Sequence, residues 1–236
     1  MPDSLGRVTA LWRYPVKSMR GESVPDLAVD GRGVVGDRFF ALRDAAGKLG
    51  SGKTNKRFRQ IEGLLDFVAT TGEGGVVIRF PDGRAMAVED PAIDRALSEA
   101  CGLEIVLERE TGAPHRDSAP LHLLSEASLA SLAARLPDAA IDQRRFRPNL
   151  VVALDKASGP VEQSWIGRSL AIGGALVVKI RKPTQRCVMV TQPQAELGAA
   201  PAILRMLASD SATALGVYAE VLRPGVVRRG DELRFV

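Results

Sequence analysis

At 236 residues, 45% hydrophobic and 25% charged, the sequence has the size and balance of one large or two small globular domains with real cores. Its net charge of +4 and pI near 9.3 suit an anionic ligand, while 5% aromatics with no interleaved basic run argue against a polynucleotide partner. No apolar run approaches a membrane span, and the opening residues lack a signal peptide's basic-then-apolar order. The only cysteines, Cys101 and Cys187, are far apart, which excludes a disulfide framework or a four-cysteine iron–sulfur site and predicts a cytoplasmic protein.

The first ninety residues read as short strands between Gly, Pro and Asp turns: RVTALWRY, ESVPDLAVD, DRFFALRD, LLDFVAT, VVIRF and RAMAVED. FPDGR, Phe80 to Arg84, is a hairpin turn. Two nucleotide-binding patterns fall inside this region. GRGVVG, Gly31 to Gly36, fits the dinucleotide spacing, but an aromatic strand follows it where a helix is required. GKLGSGKT, Gly47 to Thr54, matches the phosphate-loop pattern at every required position. It follows Asp-Ala-Ala-Gly-Lys, a hairpin turn, and leads into TNKRFRQIEG, which has no helical stripe. A hairpin is the better reading. LVVALD, with Asp155 in the Walker-B position, is read as an ordinary strand.

Asp90-Pro91 predicts a helix start, with Ile93, Leu97, Ala100 and Cys101 on its apolar stripe and Cys101 as a small core residue. The strand EIVLERE leads into TGAPHRDSAP, read as a loop and domain boundary. HRD, His115 to Asp117, matches part of a kinase catalytic loop without the other kinase elements, and neither histidine has metal-ligand spacing. SEASLASLAARL predicts a second helix with Ser125 as its cap and Leu129, Leu132, Ala133 and Leu136 on one face. Strands RPNLVVAL, RSLAIG, ALVVKI and CVMVTQ follow, then a short helix near Pro201 to Ala208 and two strands around Pro224 to Gly230. Strands dominate and helices interrupt them, so the fold class is α+β, β-rich, and barrel-based rather than doubly wound.

The informative thiol is Cys187 in RKPTQRCVMVTQP. Arg181, Lys182 and Arg186 stand near it, and cations favour thiolate, the form that attacks sulfur or binds a soft metal. A cysteine that merely packs at a strand end is the alternative. Other cations sit in loops: Lys17 and Arg20 beside Ser18 in YPVKSMRGE, Arg38 in GDR, and Arg144, Arg145 and Arg147 beside Asn149 in RRFRPN. Guanidiniums drawn from several strand ends suit one phosphate-bearing ligand, although each taken singly is an ordinary surface charge.

On LWRYPVKSMRGE, GDRFFALRD, LHLLSEASLASL, FRPNLVV, SWIG, RCVMVTQP and GDEL, in this order, the sequence resembles the MOSC family. The form is the one preceded by a MOSC N-terminal β-barrel, as in the mitochondrial amidoxime reducing component and its bacterial relatives. The resemblance spans nearly the whole chain. It implies an N-terminal β-barrel-like domain over 1–112 and a MOSC β-barrel domain over 113–236. It also implies a molybdenum cofactor (molybdopterin), with no role for pyridoxal phosphate. Cys187 matches the metal ligand, and Lys17, Ser18, Arg38, Arg147 and Asn149 match the cofactor-holding positions. Ser51 and Lys53, with Arg57, match a hairpin that carries a hydroxyl and then a basic residue; Arg186 and Thr191 complete the expected cofactor-binding set.

Val190 and Pro193 depart from that pattern, because the reducing component has threonine and an acidic residue there, so substrate choice stays open. The function implied is reduction of N-hydroxylated or N-oxygenated small molecules at a Cys187-ligated molybdenum, with electrons from a separate partner protein. A persulfide sulfurtransferase acting through Cys187 and a non-catalytic cofactor carrier are the alternatives. No nucleic acid or membrane partner is expected, and a monomer is favoured.

Overall fold

A computed structural model describes residues 4–236; residues 1–3, the start of the stretch read above for a signal peptide, lie outside the described residues. Seven strands close into a barrel in the order Leu150–Leu154, Leu121–Ser125, Ala214–Arg223, Leu176–Gln185, Ser169–Ile172, Glu232–Phe235 and Gly6–Arg13. Gly6–Arg13 then returns to Leu150–Leu154, so the sheet has no free edge at that seam. Only Leu121–Ser125 and Leu150–Leu154 run parallel among these seven. The strand-rich α+β expectation holds.

Alternate residues of the barrel strands fill its interior, among them Val8, Leu123, Val152, Leu170, Val178, Val217 and Leu233. Gly6–Arg13 belongs to this barrel although every other barrel strand comes from residue 121 onward. Two small sheets, one of Ile105–Arg109, Phe40–Asp44, Leu49–Ser51 and Phe58–Gln60, the other of Ala85–Ala87, Gly75–Arg79 and Val68–Gly72, carry most of the intervening sequence. They enclose a second core that includes Val16, Met19, Leu42, Phe67, Ile78 and Leu97.

GKLGSGKT is a hairpin. Gly47, at φ 77, turns the chain back, its N–H donates to the Asp44 carbonyl at 2.9 Å, and Lys48 N–H donates to the Asp44 carboxylate at 2.8 Å. Leu49–Ser51 follows as a strand and no helix follows Lys53, so the nucleotide reading lapses. GRGVVG likewise holds the strand Gly33–Val34, paired with Asp26–Asp30.

The predicted helices are present as Ile93–Cys101, Glu126–Arg135 and Pro201–Asp210, and Ser125 caps the second by accepting from Ser128 N–H at 3.0 Å. On the first, Ala96 is buried and Ala100 is exposed, and Cys101 is only partly buried against the second core. No helix among the described residues is long and apolar enough to cross a membrane.

One predicted strand is not there. CVMVTQ forms a short 3-10 turn at Val188–Thr191, because Val190 is buried in a helical subcore with Phe146, Leu132 and Ile203 instead of joining a pleat. Pro193 then holds Gln192 extended and ends the turn. The strand before it runs further than predicted, Leu176–Gln185, through register shifts at Ile180/Lys182 and Pro183/Gln185. Such bulges accommodate Pro183 and bend the strand end, and so set where Cys187 emerges.

Glu162 is wholly buried and accepts from the hydroxyls of Ser125 at 2.7 Å and Ser128 at 2.6 Å, which ties the helix Glu126–Arg135 to the SWIG segment. Glu162→Ala strands two buried hydroxyls, and the expected loss of unfolding free energy is about 3 kcal/mol. Urea denaturation reads this as a lower midpoint at unchanged slope.

Candidate functional site

Three non-glycine residues at the site adopt the left-handed backbone conformation: Ser18 at φ 65, Arg38 at φ 52 and Arg147 at φ 54. The conformation costs roughly 1 kcal/mol per residue, and it turns each side chain out of a tight corner instead of letting it follow a strand. Ser18 sits in the turn after Gly6–Arg13, Arg38 in the loop before Phe40–Asp44, and Arg147 at the end of the short helix Gln143–Phe146. All three line one pocket with an enclosed volume of about 100 Å³.

Six cationic side chains, Lys17, Arg38, Arg116, Arg145, Arg147 and Arg186, line the pocket with only two carboxylates, Asp37 and Asp117. The Tyr14 ring holds two of the cations apart, with the Arg38 guanidinium 4.5 Å and the Arg147 guanidinium 4.3 Å from its centroid. Burial pushes the Tyr14 hydroxyl well above the ordinary tyrosine range, so it stays neutral between them. Arg38 also pairs with Asp37 and donates to the Arg147 carbonyl at 3.2 Å. Burial, with the nearby Arg38 adding to it, lowers the Arg147 pKa to about 10.

Lys17 is almost wholly buried. Its ammonium pairs with Asp117 and lies 4.7 Å from the Phe58 ring centroid. Burial lowers its pKa to about 8 in spite of the Asp117 carboxylate, which pulls the other way.

His122 joins the wall from inside the barrel strand Leu121–Ser125. Its Nδ1 faces the Arg147 carbonyl at 3.3 Å, which assigns the proton there and leaves Nε2 to accept a weak contact from Arg186 at 3.5 Å. Burial, reinforced by the Arg186 charge, holds its pKa well below the usual histidine value, so it is neutral. Arg186 in turn donates to the Phe146 carbonyl at 2.5 Å, while its buried Nε has no partner. Cys187 follows directly, half-buried on the same wall.

Of the residues expected from the sequence, Lys17, Ser18, Arg38, Ser51, Arg147, Asn149, Arg186 and Cys187 are brought together here. Lys53 is not on the wall; its ammonium stands 3.9 Å from Asp117 and 5.0 Å from the centroid of the Phe58 ring that Lys17 also contacts. Thr191 is also off the wall, its hydroxyl donating to the Val188 carbonyl at 2.8 Å. Asn149 reaches the pocket but spends its amide on the backbone, accepting from His122 N–H at 3.2 Å and donating to the Trp12 carbonyl at 3.3 Å. Arg145 is likewise committed, donating to the carbonyls of Ala140, Gln192 and Gly198.

Tyr14, Asp117, His122 and Tyr218 were not among the expected residues. A histidine or tyrosine in an apolar strand reads as core, and Asp117 meets Lys17 across one hundred residues of sequence. Among the described residues no group of three or more His, Cys, Asp or Glu comes together.

Comparison with known proteins agrees with this architecture. The MOSC N-terminal β-barrel domain matches residues 5–120 and the MOSC domain matches residues 110–234. The YUAD protein from Bacillus subtilis is similar in fold over 99% of this chain and 97% of its own, at 13% identity and a TM-score of 0.50. YiiM from Geobacillus stearothermophilus and YiiM from Escherichia coli align with 50% of this chain at 17% and 16% identity and TM-scores of 0.38 and 0.37. The chain spans about half the length of these YiiM proteins, 54% and 55%. No curated protein matches the sequence.

Because Lys17 is depressed to about 8, its charge is present below that pH and lost above it. Sulfate, which does not titrate in this range, is therefore expected to bind the pocket more weakly as the pH rises from 7 to 9. Calorimetric titration should show this loss in the wild type, whereas Lys17→Arg keeps its affinity at pH 9.

Proposed function

Because the chain belongs to the MOSC family, with a MOSC N-terminal β-barrel domain ahead of the MOSC domain, we propose that its cationic pocket holds a molybdenum cofactor and that the protein is an oxidoreductase. The observation that carries this reading is the convergence of Lys17, Arg38, Arg147 and Arg186 beside a half-buried thiol. The donor set fits an anionic pterin. Cations exceed carboxylates on the wall, and the shielded Nε of Arg186 lacks a partner. The enclosed space is that of a phosphate-sized head group, with the wall open beyond it.

In this reading Lys17, Arg38 and Arg147 hold the phosphate, and Asp117 is the internal counter-ion that a phosphate replaces. Ser18 and Ser51 offer hydroxyls at the same end, although the Ser18 hydroxyl already donates to the Gly50 carbonyl at 3.2 Å. Tyr14 keeps two guanidiniums in fixed planes without adding charge. His122, neutral and bonded to the Arg147 carbonyl, steadies Arg147 and Arg186 together. Cys187 would be the protein's ligand to molybdenum. When bound, the cofactor would supply the redox chemistry, two-electron removal of oxygen as water from an N-hydroxylated or N-oxygenated small molecule, and a separate protein would supply the electrons.

Expression in a host that makes the cofactor tests this. Stoichiometric molybdenum and pterin fluorescence are expected in the wild type, molybdenum is lost in Cys187→Ala, and both are lost in Arg38→Gln. Metal-free and pterin-free protein from that host overturns the reading. A persulfide carried on Cys187 is the second reading, favoured by the partial exposure of the thiol beside Arg186. An intact mass that gains one sulfur, reversed by reductant, would identify it.

A further inference from the structure

Arg147 also lines a second cavity of about 150 Å³, which Cys187 does not reach. Its wall includes Trp12, Tyr14, Arg20, Val68, Arg144 and Arg147. Four of these residues carry a shielded polar atom with no hydrogen-bond partner: Trp12 Nε1, Tyr14 Oη, Arg20 Nε and Arg147 Nη2. Nine such atoms occur among the described residues, and four of them belong to residues that line this one cavity.

These groups share a chemistry. Indole and guanidinium nitrogens only donate, and the tyrosine hydroxyl stays protonated and can donate as well. The guanidiniums of Arg20 and Arg147 are otherwise held only by backbone carbonyls, Arg20 by Asp66 at 3.1 Å and Arg147 by Met19 at 2.6 Å. Arg144 is already paired with Asp142 and Glu196, and no carboxylate lines the cavity. The wall therefore presents two guanidiniums with no carboxylate bonded to them and at least three unspent donors. Val68 and the faces of Trp12 and Tyr14 give the cavity an apolar and aromatic side, the two rings 6.4 Å apart at 18°, and Gly21 and Gln194 complete the lining.

We infer that this cavity is a binding site for a small organic carboxylate, its oxygens taken by the donors of Trp12, Arg20 and Arg147 and its short carbon chain lying against Val68 and the aromatic faces. Arg147 is common to both cavities, so a carboxylate bound here contacts the guanidinium that also borders the cationic pocket. The site does not depend on the identity of that pocket's ligand.

Acetate is the probe and the indole N–H of Trp12 is the reporter. The chain has two tryptophans, so the amide correlation spectrum shows two indole signals, and Trp12→Phe assigns the one that matters. At constant ionic strength, acetate is expected to shift the Trp12 signal saturably, as hydrogen bonding to a carboxylate does. Chloride should leave it in place. Arg20→Gln, outside the cationic pocket, is expected to weaken acetate binding about tenfold, the effect of one charge-assisted hydrogen bond, while Lys17→Gln leaves it unchanged. A Trp12 signal that does not move, the mark of a cavity filled by water only, overturns the inference. So does a shift abolished by Lys17→Gln and untouched by Arg20→Gln, because the carboxylate would then be in the cationic pocket.

Discussion

The antiparallel seam between Gly6–Arg13 and Leu150–Leu154 holds the rest of the structure in place. It closes the barrel, and it brings together two loops that lie far apart in sequence, the turn carrying Lys17 and Ser18 and the turn carrying Arg147. Asn149 fastens the seam at its pocket end. Its carbonyl accepts from Trp12 N–H at 2.9 Å, its N–H donates to the His122 carbonyl at 2.8 Å, and its side chain adds a bond to each neighbour. A residue matched to cofactor binding thus works through the backbone, by fixing where the cations emerge.

Gathering that many cations around one pocket is unfavourable in the free protein, and the fold answers with local devices. Asp37 pairs with Arg38, and Asp117 pairs with Lys17. The Tyr14 ring separates two guanidiniums, and His122 stays uncharged beside Arg147 and Arg186. Strained backbone at Ser18, Arg38 and Arg147 adds a further cost, which the surrounding sheets and seam absorb. Stability is given up locally for a preformed, strongly positive surface.

Much of the fold was legible because its signals are local. The Asp44–Gly47 turn, the FPDGR hairpin and the Ser125 cap each depend on residues within a few positions, and each is present. The phosphate-loop pattern misled only as a pattern, since the segments around it never had the strand and helix that the chemistry needs. CVMVTQ was misread because apolar, β-branched residues serve a helical subcore as readily as a sheet, and only tertiary packing chooses. Thr191 and Lys53 were expected on the wall by matching; a 3-10 turn sends one hydroxyl to its own backbone, and the Phe58 ring lies beside the other. Asp117, Tyr14 and His122 gave no usable signal. Their roles come from partners distant in sequence.

The seam also dictates an order of events. Gly6 pairs with Leu154 on one side and with Leu233 on the other, so this strand waits for partners far away along the sequence. Until they arrive, the cations of both loops have no common wall to line. A ligand that needs cations from both loops therefore binds only once the seam has formed, whatever the order in which the other elements fold.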